Sequence, residues 1–120
     1  MTGVQTCALP IFHRNATVTI CHSKTKDAAA IAREADILIV AVGSGGAIGK
    51  EYFSENQVVI DVGINLDEQG NICGDIDAKA ADGIVAAYSP VPGGIGSVTT
   101  GLLIRHVVKA AEKQQEAIHG

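Results

Sequence analysis

Four short segments carry residue types that could work on a ligand. The first is Cys21-His22-Ser23-Lys24-Thr25, followed by Lys26. It offers two hydroxyls, two ammonium groups and an imidazole, with no acid before Asp27. Hydroxyl and cationic donors suit the 2′-phosphate of NADP, whereas the ribose of NAD is held by a carboxylate. The segment is therefore either an NADP selector or an ordinary polar turn ahead of a helix. The second segment, Gly43-Ser44-Gly45-Gly46-Ala47-Ile48-Gly49-Lys50, imitates a triphosphate loop. That motif needs Gly-x4-Gly-Lys-Ser/Thr, but Ser44 stands at the first glycine position and Glu51 follows Lys50. Gly43, Gly45 and Gly49, with Asp61 beyond, also imitate a dinucleotide fingerprint and its ribose acid. The spacing is G-x-G-x-x-x-G and no good helix follows, so a plain glycine turn competes with a later cofactor-lining turn.

The third segment is Gly63-Ile64-Asn65, and the fourth is Pro90-Val91-Pro92-Gly93-Gly94-Ile95-Gly96. Two prolines stiffen the latter, and three glycines strip side chains from its surface. Such a loop before a helix can press flat against a planar ligand or offer N–H groups to an anion. The competing reading is a turn that needs positive φ. His22 is either a base or a solvated side chain, and His13, His106 and His119 have no evident partner. Cys7, Cys21 and Cys73 form no C-x-x-C pair, which argues against a zinc site and a disulfide framework. Cys21, Cys73 and Tyr88 are expected in the core.

These segments must be held by regular elements. Thr17–Cys21 is β-branched and is expected to be a strand. Asp27 is placed to cap a helix over the alanine-rich run after it. Asp36–Val42 is continuously apolar, the pattern of a strand buried on both faces. A short helix or turn is expected at Lys50–Phe53, and a second buried strand at Gln57–Val62. Asn65–Asn71 is a surface turn, Asp75–Ala81 a brief helix capped by Asp77, and Ile84–Tyr88 a strand. Ser97 is expected to cap a long helix from Val98 to about Ala117, with Val98, Leu102, Leu103, Val107, Ala110 and Ala111 as its apolar stripe. Strands alternating with helices give an α/β fold, a Rossmann-like parallel sheet with helices on both faces. The four segments above then fall at the carboxyl ends of strands, where such sheets bind ligands. The first strand and its phosphate-binding turn are missing from the pattern.

Composition narrows the classes. The 120 residues suffice for one modest core, 47% are apolar, and only 3% are aromatic. A formal net charge of −4 without a basic patch argues against nucleic acid as a partner. No apolar run approaches the roughly 20 residues needed to span a bilayer, so no membrane partner is expected. With no signal sequence and no disulfide pattern, the expected setting is cytoplasmic.

ATVTICHSKT, ADILIVAVG, VVIDVGIN, Gly74-Asp75 and YSPVPGGIGSVTTGLL resemble, in order and spacing, the C-terminal half of the bifunctional methylenetetrahydrofolate dehydrogenase/methenyltetrahydrofolate cyclohydrolase family. The resemblance runs from about Phe12 to about Ala111. It implies a dinucleotide-binding domain that holds NADP, in an enzyme that oxidises 5,10-methylenetetrahydrofolate and hydrolyses the methenyl product to 10-formyltetrahydrofolate. It implies Ser23 as the 2′-phosphate contact with Lys24 assisting, Val42 and Gly43 as neighbours of the cofactor, and Ile64 as the backbone contact to the nicotinamide amide. It implies Pro92, Gly93, Gly94, Ile95 and Gly96 as a loop closing over the folate, with Thr99 lining the same cleft. The partners implied are tetrahydrofolate derivatives and, in the parent enzyme, a second copy in a homodimer.

The family pattern also has a strand and a G-x-S-x-x-V-G-x-P turn before ATVTICHS, and residues 1–11 match neither. Residues 1–11 are expected to be a non-native leader, and residues 12–120 a partial NADP-binding domain. The family's catalytic Tyr and Lys belong to an N-terminal domain absent here, so no catalytic residue is expected in this chain, and the chain alone is expected to be inactive. The alternative is a stand-alone dinucleotide-binding or dimerisation module.

Overall fold

The computed structural model describes residues 14–119. The chain starts irregularly and then forms α1 (Ala28–Arg33), β1 (Ile37–Val40), a single 3-10 turn (Lys50–Tyr52) and β2 (Val58–Asp61). A hairpin of β3 (Asn65–Leu66) and β4 (Ile72–Cys73) follows, then α2 (Ala78–Asp82), β5 (Ala87–Tyr88) and α3 (Ile95–His119). β1, β2 and β5 make one parallel sheet in the order β1-β2-β5. Its register sets Ile37 beside Val58, Val40 beside Asp61, and Val59 beside Tyr88. The α/β class and the parallel sheet agree with the sequence pattern.

The caps explain where the short helices begin. The Asp27 carboxylate accepts the N–H of Ala30, and Asp27 itself sits at φ 53°. The Asp77 carboxylate accepts from Lys79 and Ala80. Each satisfies N–H groups that a helix start leaves without partners. Gln57 ties α1 to the sheet. Its side-chain amide donates to the carbonyls of Ala32 (2.7 Å) and Ala35 (3.0 Å), so this buried polar group is satisfied.

The core is small: Val40, Phe53, Val59, Ile76 and Ala81 are buried, with Leu38, Ile48, Tyr52 and Val85 packed around them. The buried Val, Ile and Phe side chains each contribute roughly 1.5–3 kcal/mol by leaving water. Tyr88 joins the rim of this core, as expected. All of it lies on one side of the sheet. Along β1, Leu38 and Val40 turn inward while Ile37 and Ile39 are 62% and 51% exposed. The strand expected to be buried on both faces thus leaves Ile37 and Ile39 exposed among the described residues.

Four expectations need correction. Thr17–Cys21 forms no ladder. β-branched residues favour a pleated surface only where a neighbouring strand supplies hydrogen bonds, and none among the described residues does so. Cys21 is consequently exposed, and Cys73, in the two-residue β4, is only half-buried. The Asn65–Asn71 turn is a β-hairpin, closed where the Asp67 carboxylate accepts the N–H groups of Gln69 and Asn71. Finally, α3 begins at Ile95 rather than after Ser97. The Gly94 carbonyl accepts from Ser97 (3.1 Å) and Val98 (3.5 Å), so Ser97 lies inside the first turn. The stripe of α3 is exposed, since no described element covers it. His13, Cys7 and the segment 1–11 lie outside the described residues.

Candidate functional site

The three strands end at Val40, Asp61 and Tyr88, and the loops that follow them converge. Two buried carboxylates hold them together. Asp61, 2% exposed, accepts the N–H groups of Gly63 (2.9 Å), Asp75 (3.1 Å) and Ile76 (3.1 Å). Its own N–H donates to the Ser89 hydroxyl at 2.8 Å, which brings in the loop after β5. Asp75 is fully buried and accepts from the N–H groups of Val42 (2.6 Å), Gly43 (2.9 Å) and Ser44 (3.1 Å). It also accepts from the Asn65 side-chain amide at 2.7 Å.

Glycines make room for both groups. A Cβ at Gly63 would sit 2.2 Å from the Asp75 carboxyl carbon, and one at Gly74 would sit 1.9 Å from an Asp61 oxygen. The two pairs are reciprocal: each acid lies beside the glycine from the other acid's segment. Burial pushes the Asp75 carboxyl up, but its hydrogen bonds from Asn65, Gly43, Val42 and Ser44 outweigh this and hold it below the ordinary value of 3.8.

These bonds decide what the glycine-rich loop can do. The N–H groups of Val42, Gly43 and Ser44 are taken by Asp75, and those of Gly46, Ala47 and Ile48 by the carbonyls of Gly74, Ser44 and Asp75. A phosphate cradle needs free N–H groups, so this loop is neither a triphosphate loop nor a dinucleotide fingerprint. Asp61 cannot act as a ribose acid either, since both of its oxygens are engaged inside the protein.

A cleft of about 540 Å³ opens between the loops after β2 and β5. Ile64, Pro92, Gly93, Gly94, Ile95, Gly96 and Thr99 all line it. One residue expected against the cofactor and all those expected against the substrate therefore share one cavity. Gly93 has φ 98°, and a Cβ at Gly94 would meet the Pro90 carbonyl oxygen at 2.3 Å, so this tight loop requires glycine at both positions. The Thr99 hydroxyl donates back to the Ile95 carbonyl at 2.9 Å. A larger hollow of about 730 Å³, bounded by Leu66, Lys79 and Tyr88, contains none of the expected contacts.

Val42 and Gly43 are exposed outside this cleft; their N–H groups bond to Asp75, which also accepts from Asn65, the neighbour of Ile64. Ser23 and Lys24 stand exposed at the tip of a turn. The turn is closed by the Thr25 N–H on the His22 carbonyl, the His22 N–H on the Thr25 hydroxyl, and the Lys24 N–H on His22 Nδ1, at 2.9, 2.9 and 3.1 Å. Thr25 and His22 thus build the turn, and the Ser23 hydroxyl and Lys24 ammonium take no part in closing it. Among the described residues, no hydrogen bond joins this turn to the cleft. None of their His, Cys, Asp and Glu side chains form a group of three or more suited to a metal, and no described helix is long and apolar enough to cross a membrane.

The carboxylates were the part sequence reasoning missed. D-V-G and G-D could have signalled a close approach of acid and glycine, but not which acid meets which glycine.

A parallel sheet whose strand-end loops enclose a glycine-walled cleft is the arrangement of a dinucleotide-binding domain of the α/β class. The chain belongs to the tetrahydrofolate dehydrogenase/cyclohydrolase family, whose NAD(P)-binding domain matches residues 4–115. That match extends into residues 4–11, part of the expected leader. The chain is 51% identical over 106 residues to the bifunctional protein FolD of Clostridium botulinum (strain Okra / Type B1), covering 88% of this chain and 38% of that protein. It is 51% identical over 104 residues to the FolD of Clostridioides difficile (strain 630), covering 87% of this chain and 36% of that protein. The chain thus spans little more than a third of these relatives.

Solved structures agree. The bifunctional 5,10-methylenetetrahydrofolate dehydrogenase/cyclohydrolase of Thermoplasma acidophilum superposes with a TM-score of 0.83 at 41% identity, over 91% of this chain and 39% of that one. The Trypanosoma brucei methylenetetrahydrofolate dehydrogenase-cyclohydrolase (FolD), solved with NADP cofactor and an inhibitor, gives 0.73 at 34% identity, over 82% and 36%.

Proposed function

We propose that this chain is the NADP-binding part of an enzyme that oxidises 5,10-methylenetetrahydrofolate to the methenyl form and hydrolyses that product to 10-formyltetrahydrofolate. The observation that carries the reading is the shared cleft, where Ile64 faces the Pro92–Gly96 loop. When bound, NADP supplies the nicotinamide ring that accepts a hydride. The chain's own residues bind and orient. Ser23 and Lys24 hold the 2′-phosphate, Val42 and Gly43 flank the cofactor, and Ile64 offers its backbone to the nicotinamide amide. The flat glycine surface at Gly93–Gly96, with Thr99, lets the planar folate lie close to that ring. No general acid or base is assigned to this chain, so activity needs groups from elsewhere in the protein.

The parent enzyme in this reading is a cytoplasmic homodimer acting on tetrahydrofolate derivatives. The test uses the full-length enzyme with both cofactors. Wild type should oxidise methylenetetrahydrofolate with NADP in preference to NAD. Ser23→Ala should lower kcat/KM for NADP by about 10- to 100-fold, the loss of one hydrogen bond to a charged group, and leave NAD use unchanged. Equal use of the two cofactors by wild type, or no folate oxidation, would overturn the reading.

A further inference from the structure

We infer that Asp75 is a positioning residue for the cofactor: its carboxylate locks the Val42–Ser44 turn to the Ile64–Asn65 loop, so that both cofactor-facing loops are set as one unit. This rests on the NADP reading of the site. Asp75 is fully buried and takes three of its donors from the turn after β1 and the fourth from Asn65, the first residue of β3, which follows directly on Ile64. The sheet beneath has its own ladder of hydrogen bonds and needs no such tie. What the carboxylate adds is the relative placement of two loops that the ladder leaves free.

Those loops display the apolar side chains of Val42 and Ile64 at 54% and 74% exposure. Exposed apolar groups held by a buried, fully bonded carboxylate are arranged for contact with something outside the core. The glycine at position 63 belongs to the same device, because any side chain there would occupy the carboxylate's space.

The experiment compares wild type, Asp75→Asn and Asn65→Ala in the full chain. Asparagine keeps the shape, but one of its two ends turns an NH₂ group toward N–H donors. Asp75→Asn should raise the dissociation constant of NADPH, read by fluorescence titration, and the KM for NADP by about tenfold or more, the loss of a charge-assisted hydrogen bond. The KM for the folate and kcat at saturating NADP should stay within about threefold. Asn65→Ala breaks only the loop-to-loop bond, so it covers the case in which Asp75→Asn does not fold. It should raise the NADP KM by about three- to tenfold. A loss of kcat with unchanged NADP KM in both variants would show a merely structural residue and overturn the inference.

Amide hydrogen exchange separates this outcome from failure of the functional reading. Exchange at Val42, Gly43 and Ser44 should accelerate in Asp75→Asn while β2 stays protected. Unchanged exchange overturns the positioning role whether or not NADPH binds. Wild type that binds no NADPH overturns the functional reading.

Discussion

Gly63→Ala should be among the most damaging single-methyl changes in this chain. Its Cβ would lie 2.2 Å from the Asp75 carboxyl carbon and 2.3 and 2.6 Å from the two oxygens. Van der Waals contact of such atoms needs well over 3 Å, so either the carboxylate or the Gly63 backbone must move by about 1 Å. Asp75 has nowhere to go, being fully buried with four donors already placed. Overpacking costs about 1–3 kcal/mol, and losing one or two hydrogen bonds to a charged group costs about 1.5–3 kcal/mol each. Partial relaxation sets the expected loss at about 3–5 kcal/mol, a large share of a small domain's stability.

Gly83→Ala is the control. Gly83 closes α2 at φ −95° and ψ −4°, and a Cβ there meets nothing within 4 Å. That change should be neutral or stabilising by up to about 1 kcal/mol, since alanine restricts the unfolded chain. Urea unfolding followed by circular dichroism compares the three proteins, with the midpoint and slope fitted separately. Gly74→Ala, 1.9 Å from an Asp61 oxygen, belongs in the same series. Because Asp61 accepts the N–H of Asp75, the two sites share one network, and the double variant should lose less than the sum of the single losses. If Gly63→Ala unfolds within about 0.5 kcal/mol of wild type, a value typical of unconstrained surface changes, the account of reciprocal packing is wrong.

The same network has a pH signature. The Asp75 carboxyl titrates below 3.8 in the folded protein, so its stabilisation is fully present above the unfolded value and is lost as pH falls through the folded one. Urea midpoints measured from roughly pH 7 down to 2 should fall more steeply on the acid side for wild type than for Asp75→Asn; parallel curves would remove Asp75 as the cause. Asp77→Ala should cost about 1 kcal/mol by leaving the Lys79 and Ala80 N–H groups uncapped, and Asp77→Asn only a few tenths, read from the thermal midpoint. Gln57→Ala should cost about 2–4 kcal/mol, through a cavity and the buried Ala32 and Ala35 carbonyls left without a donor, again by urea unfolding.

What the sequence could and could not reveal follows from the range of the forces involved. Caps are local: Asp27 and Asp77 bond to N–H groups two or three residues away, so both helix starts were legible. Parallel strands of β-branched and aliphatic residues were legible for the same reason, as Val58–Asp61 and Ile37–Val40 lie inside the expected runs. Thr17–Cys21 has the same local character but forms no strand, because strand formation depends on a partner that a window of sequence cannot show. The α3 stripe fixed a helix but not its burial, since every side chain from Gly96 to Ile118 is exposed. At the site, the glycine-proline loop was legible as a rigid turn. The carboxylates were not, since Asp75 is bonded to residues more than 30 positions earlier in the chain.

That long-range wiring decides where a phosphorylated ligand can and cannot put its charge. The loop after β1 has spent the N–H groups of Val42, Gly43 and Ser44 on Asp75, so it offers a phosphate neither those donors nor a positive field. The Ser23–Lys24 turn is the opposite case: the N–H groups of His22, Lys24 and Thr25 and the Thr25 and His22 side chains close it, and its exposed groups include a hydroxyl and a cation. This agrees with the orientation proposed above, in which a dinucleotide runs with its phosphorylated ribose at Ser23 and Lys24 and its uncharged amide end toward Ile64 and the Pro92–Gly96 loop. The reverse orientation would set a phosphate against a turn whose N–H groups are taken and an amide against Lys24, and each end would lose the partner its chemistry requires.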